Sequence, residues 1–325
     1  DTVSVTDNND SVKINAAAFL ENAAVSVNGT AVTGETSVPL SGDETVITVK
    51  AAMEDAPSQA REYKIHVLRK KSVKLTLKTD PADTVITLKD ADSKKLKAEN
   101  GVYTLKAEET YSYVAVKAGY VTKKDTISVT EDTEKTITME KAPESTRKDV
   151  SAAWKNFRNS DDNMGITSAK TPTSEATTYE KWFKKLGSGW GAAPSVQIIV
   201  DNSLIVMSAN HIYKLDLNTG DILQTGDMVA ATNFGYTPPT YADGMIFAPL
   251  ADGRVQAFNA ETLESLWVYQ DTLKGQSLSP ITYSDGYIYT GFWNAETKDA
   301  NYVCIPVTDE DPTNAQEAKE AAWQY

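Results

Sequence analysis

The sequence predicts an all-β chain: two tandem β-sandwich modules followed by a partial β-propeller of about three blades. Three observations predict it. The turn dipeptides Asp201-Asn202, Asp243-Gly244 and Asp285-Gly286 recur every 42 residues, each followed by a β-rich run: Leu204-Ile205-Val206, Ile246-Phe247-Ala248 and Ile288-Tyr289-Thr290. Each dipeptide is preceded by a loop of small residues ending in proline, at Pro194, Pro238 and Pro280. Before residue 143 the chain reads instead as short alternating strands broken by turns, with almost no helical periodicity. A repeat of about 40–45 residues carrying several short strands marks a propeller blade.

Residues 1–70 form the first expected module. Val25-Ser26-Val27 leads into Asn28-Gly29, a hairpin-turn dipeptide, and Val46 to Lys50 and Tyr63 to Arg69 alternate apolar with polar. The Val27-Asn28-Gly29-Thr30 turn, the Val38-Pro39-Leu40 run before Gly42 and the closing Tyr63-to-Arg69 strand resemble the cadherin-like β-sandwich modules of bacterial surface proteins. Residues 71–142 form the second. Runs such as Val73 to Lys78, Val85 to Leu88 and Tyr111 to Val116 are punctuated by Asp80-Pro81, Asn100-Gly101 and Gly119-Tyr120. Their order resembles the small Ig-like sandwich repeats of bacterial envelope proteins, without that family's four-letter signature. With no His or Cys, and Lys balanced by acid, this module reads as a spacer with a solvated surface.

Residues 143–150, polar and containing Pro143, are expected to be a linker, with the propeller occupying 151–325. Trp154-Lys155-Asn156-Phe157-Arg158 followed by Asn163-Met164-Gly165-Ile166-Thr167 resembles the opening of quinoprotein-like (PQQ-like) β-propellers. Ile212-Tyr213-Lys214-Leu215-Asp216 aligns with Val255-Gln256-Ala257-Phe258-Asn259, and Thr219-Gly220 with Thr262-Leu263, as in that family's outer hairpin. Trp182, Trp267 and Trp323 are each expected on the last strand of a blade. The third repeat carries an acidic insertion, Thr308 to Lys319, expected to be solvated. Three blades do not complete a ring of about four to eight, so the last sheet should expose an apolar flank and an edge. The expectation is a truncated chain, with the remaining blades beyond Tyr325.

The net charge is −13, with most of the acidic excess after residue 147. Without a basic stripe, nucleic acid is an unfavourable partner. No apolar run approaches the ~20 residues of a membrane span. The chain opens on a polar stretch, so a secretion signal is absent or already removed. Cys304, the single cysteine, excludes an intramolecular disulfide.

No nucleophile–base–acid set is visible, so no catalytic residues are assigned. His66 reads as a solvated strand residue and His211 as a turn-adjacent polar group. Asp7, Asn8, Asn9 and Asp10 read as a polar turn rather than a calcium cluster. Asp309, Asp311, Thr313 and Glu320 follow an EF-hand-like spacing, but Asn314 replaces the glycine and Pro312 interrupts it. No metal and no cofactor are assigned. The quinoprotein resemblance implies a quinone- and Ca²⁺-dependent dehydrogenase, whose vicinal disulfide one cysteine excludes, so a remnant of such an enzyme is the last reading. The candidate ligand-binding residues are Trp190, Phe234, Tyr236, Gln276 and Trp293. The first four occupy equivalent loops of successive repeats and Trp293 lies on a loop of the third. There, aromatic planes could stack on a sugar or anchor a peptide, or else pack between blades. The order of modules thus points to a non-enzymatic extracellular protein, at the cell surface or secreted, whose propeller binds a glycan or protein while the sandwiches act as spacer. A structural scaffold for envelope assembly is the alternative.

Overall fold

The computed structural model describes residues 1–325 except 21, 54, 57, 58, 233–236 and 297. The chain is all-β, with no α-helix among the described residues. It divides into two compact units. One comprises Asp1–Ala82, Thr87–Tyr113 and Lys124–Ile137; the other comprises Asp83–Ile86, Val114–Lys123 and Thr138–Tyr325.

The first sandwich contains β1 (Thr2–Thr6), β2 (Ser11–Asn15), β3 (Ala23–Val27), β4 (Thr30–Val32), β5 (Glu35–Pro39), β6 (Glu44–Met53) and β7 (Arg61–Lys70). A five-stranded sheet ordered β1-β7-β6-β3-β4 accompanies a two-stranded antiparallel sheet of β2 and β5. Asn28 and Gly29 both have positive φ, giving the two-residue turn between Val27 and Thr30. Alternation sends Val27, Val38, Ile47 and Val67 inward to one core. His66 lies on the other face, with Nδ1 2.5 Å from Glu44.

The second sandwich contains β8 (Ser72–Asp80), β9 (Val85–Lys89), β10 (Val102–Lys106), β11 (Thr110–Val116), β12 (Lys123–Ser128) and β13 (Thr133–Thr138). Its sheets run β10-β8-β13 and β12-β11-β9. Leu75, Leu88, Leu105, Tyr113, Ala115 and Ile137 are almost fully buried in it.

The repeats that follow form three blade sheets among the described residues. β14 (Ala152–Trp154), β15 (Ile198–Val200), β16 (Ser203–Ser208), β17 (His211–Asp216) and β18 (Ile222–Asp227) make the first. The second comprises β19 (Thr240–Ala242), β20 (Met245–Leu250), β21 (Arg254–Asn259) and β22 (Ser265–Gln270). The third comprises β23 (Thr282–Ser284), β24 (Tyr287–Gly291) and β25 (Tyr302–Pro306). β26 (Glu317–Lys319) returns to the second sheet as a parallel outer strand beside β22, and β27 (Trp323–Gln324) completes the third.

The 42-residue spacing is a hairpin spacing. Asp201-Asn202, Asp243-Gly244 and Asp285-Gly286 all have positive φ at both positions, and each joins the first two antiparallel strands of its repeat. Gly244 is also held by a close approach: a Cβ there would lie 2.7 Å from the Lys148 carbonyl oxygen. The outer hairpin repeats as well. Asp216 Oδ1 accepts from the Asn218 and Thr219 amides, as Asn259 Oδ1 does from those of Glu261 and Thr262. Ile205, Met207, Ile246, Leu250 and Phe258 fill the space between the first and second sheets. Phe247, Trp267, Ile288, Val303 and Ile305 fill that between the second and third.

Three sequence expectations are corrected. Trp182 lies on no strand; it sits in the irregular stretch before β15, its indole N–H donating to Leu217 O at 3.1 Å and its ring against Gly220. The Thr308-to-Lys319 insertion is solvated as a run only over residues 311–316; Asp309, Glu317 and Lys319 are buried. Asp309 pairs with Arg147 at 2.7 Å, and Lys319, fully buried at its side chain, sits between Glu310 and Glu317 at 2.5 and 2.9 Å. Glu317 accepts the Glu310 and Asp311 amides, so the turn and its ions form one network. Finally, the third sheet's far face is not simply open: Val85, Val114 and Val116 cover part of it.

Candidate functional site

The loops that lead into each blade's first strand lie at the opposite end of the sheets from the Asp-Gly turns. Trp190 opens a short 3-10 turn, Trp190–Ala192, held where the Ala192 carbonyl accepts from Ser208 Oγ at 2.7 Å. Trp190 is 77% exposed. Phe234 and Tyr236 lie outside the described residues. Gln276 and Trp293 are brought together. The Gln276 amide donates to Trp293 O at 2.6 Å and the Trp293 amide to Gln276 O at 2.9 Å, a one-residue antiparallel bridge. Gly275 makes this approach feasible, since a Cβ there would lie 2.9 Å from Trp293 O. The neighbouring Phe292 is buried and stacks on Tyr269, whereas Trp293 is 45% exposed.

A buried carboxylate braces the same end of the third blade. Asp271 is fully buried. Its Oδ1 accepts from Asn301 Nδ2 at 2.8 Å and Gln324 Nε2 at 3.1 Å, and its Oδ2 accepts the Leu273 amide at 3.0 Å. This ties the loop after β22 to the strand that returns from the Trp293 loop. Burial, then Asp271, pushes the Tyr269 hydroxyl well above its ordinary range, so it remains a proton donor. Composition alone gave no signal for this acid.

The Asp-Gly end carries a cleft of about 790 Å³ lined by Tyr120, Lys141, Arg147, Asp243 and Asp309, among others. Residues 143–150, which form no helix or strand, are held there: Tyr241 donates its hydroxyl to Asp149 Oδ1 at 2.5 Å and accepts the Val150 amide at 2.6 Å. Tyr283, one repeat on, donates to Asp243 Oδ2 at 2.5 Å. Asp149, Asp243, Asp309 and Arg147 of the cleft are thereby engaged within the protein.

Among the described residues, no group of three or more His, Cys, Asp or Glu is placed to hold a metal ion. In the EF-hand-like stretch, Asp309 faces Arg147, while Asp311 accepts from the Thr313 amide and hydroxyl. The described residues do not fit a quinone–Ca²⁺ site, since no such acidic group is gathered among them. His211 Nδ1 lies 2.9 Å from Asp227 at the strand end, without hydrogen-bond geometry. Among the described residues, no helix is long and apolar enough to cross a membrane.

Comparisons with known proteins match two parts of the chain. Residues 1–70 match the cadherin-like β-sandwich domain family. Residues 173–294 match the PQQ_2 family, described as outer membrane protein assembly factor BamB. No curated protein matches the chain. Among solved structures, a europium-containing methanol dehydrogenase is similar at 19% identity and a TM-score of 0.32, over 43% of this chain and 26% of that one. The quinohemoprotein alcohol dehydrogenase of Comamonas testosteroni is similar at 19% identity and a TM-score of 0.31, over 41% and 22%. BamB of Moraxella catarrhalis is similar at 12% identity and a TM-score of 0.29, over 88% and 73%. The chain spans about a quarter of the length of the dehydrogenases it matches. It joins a cadherin-like β-sandwich at residues 1–70 to PQQ-type β-propeller repeats at residues 173–294.

Proposed function

We propose that this chain is a non-enzymatic binding protein of the cell envelope or exterior, and that the loop end of its blades holds a protein partner. One observation carries the reading: Trp293 presents about half its surface to solvent while paired main-chain bonds to Gln276 fix its backbone. A rigid, exposed aromatic is the side chain that anchors protein interfaces at low entropic cost. Trp190, on the leading loop of the first blade, extends the same surface. The matched families lend support, one described by cadherin-like sandwiches and the other by an assembly factor. In this reading residues 1–70 and 71–142 are the spacer modules, and 143–150 joins them to the propeller of 151–325. A glycan ligand and a purely structural scaffold are the competing readings.

Site-specific photo-crosslinking tests it. A benzoylphenylalanine at position 293 should yield a discrete protein adduct in the native cell envelope, and one at Tyr63, exposed on the first sandwich, should not. Equal adducts at both positions, or none at either, would contradict the proposal. Glycan-array binding lost in Trp293→Ala would replace protein by sugar as the ligand class.

A further inference from the structure

In a β-strand, alternate side chains point to opposite faces. In β11, Tyr111, Tyr113 and Ala115 are buried toward the second sandwich's own core. The intervening Ser112, Val114 and Val116 point the other way, and their burial rises along the strand: Ser112 is exposed, Val114 half-buried and Val116 buried. An outward-facing valine buried to 2% must have something covering it. Val116 shares its cluster with Cys304 and Ala322, and Val85, Val114, Tyr287 and Tyr289 pack around them. All these residues belong to one compact unit.

The repeat identifies the surface they cover. Across the second blade, cross-strand pairing runs Phe247–Ala257–Trp267, and all three are buried against the third blade. Across the third, the equivalent line is Tyr289–Cys304–Trp323. Tyr287 stands where Met245 does: Met245 pairs with Asn259, the last residue of β21, and Tyr287 with Pro306, the last residue of β25. The positions that the second blade buries against a neighbouring blade are therefore, in the third, partly covered by outward residues of β9 and β11.

We propose that the outer face of the β9–β11 sheet serves as a substitute blade, closing the third propeller sheet as the third closes the second. Polar contacts fix its position. The Ala118 amide donates to Tyr287 OH at 3.0 Å, and the Gly119 amide to Thr308 Oγ1 at 2.7 Å. Thr122 donates through both its amide and its hydroxyl to Glu310, at 2.6 and 2.9 Å. Glu310 is in turn held by buried Lys319, so the insertion that looks like loop in the sequence is the seat of this contact. Asp83–Ile86 and Val114–Lys123 thus take part in the packing of the compact unit that holds the blades.

Cys304 reports on this cover, being the chain's single cysteine and 3% exposed beneath it. Its reaction with an aromatic disulfide reagent should be slow in the native protein and at least tenfold faster in Val116→Asp and in Val85→Asp. Val116→Ile should stay within about twofold of the native rate. Two strands are probed so that a folding failure in one variant leaves the other to decide. Unchanged protection in the folded aspartate variants would overturn the proposal. So would a rise that appears only together with loss of the β-sheet circular dichroism, since the valines would then hold the sandwich together rather than cover the blade.

Discussion

Tyr241 and Tyr283 stand at the same place in successive blades, and each donates its hydroxyl to a carboxylate on the preceding turn or strap. Burial, reinforced by Asp149, pushes Tyr241 up to about 12, and burial, reinforced by Cys304, does the same for Tyr289. Burial also pushes the Cys304 thiol up to about 11. In each case the folded state holds the proton more tightly than the unfolded one. Stability from these groups is therefore complete below pH ~9–10, where the unfolded side chains titrate, and falls as pH rises toward about 12. Thermal melts should accordingly drop above pH ~10, and less steeply in Tyr241→Phe. A flat alkaline profile would contradict this. Lys319 makes a stronger prediction. Lys319→Met would leave Glu310 and Glu317 buried without a counter-charge, a loss of about 3–5 kcal/mol in denaturant titration.

At the scale of elements, the hairpins were legible because their chemistry is local. An Asp-Gly or Asp-Asn pair reads as a two-residue turn wherever both positions take positive φ, and Asp216 and Asn259 cap their turns through neighbouring amides. Gln276 and Trp293 were singled out from position in the repeat, but their bridge was not visible, because it depends on Gly275 admitting a carbonyl at contact distance. Gly275→Ala should displace Trp293, cost about 1–3 kcal/mol and speed hydrogen exchange at the Trp293 amide. Trp182 was misplaced because tryptophan is common both on outer strands and in loops that lean on a turn glycine. β26 was missed because an acidic run with a proline reads as solvated. Only a parallel partner, β22, and the buried Lys319 make Glu317–Lys319 a strand.

Across the whole molecule, all-β architecture and the order of sandwich and propeller repeats were readable from period and alternation, which are properties of one strand at a time. The role of β9 and β11 was not, since Val114 and Val116 alternate as any half-exposed strand would, and only packing distinguishes cover from solvent. The same distinction decides the binding face. Trp267 is fully buried between blades, while Trp190 and Trp293 stand largely clear of those cores. The most direct measurement is the thermal unfolding of the Trp190→Ala/Trp293→Ala double variant beside Trp267→Ala. The account predicts a double variant within about 1 kcal/mol of the parent, and a Trp267→Ala loss of about 3–5 kcal/mol. A double variant that melts as early as Trp267→Ala would place both loop tryptophans in the packing between blades, and the proposed binding face would fall with it.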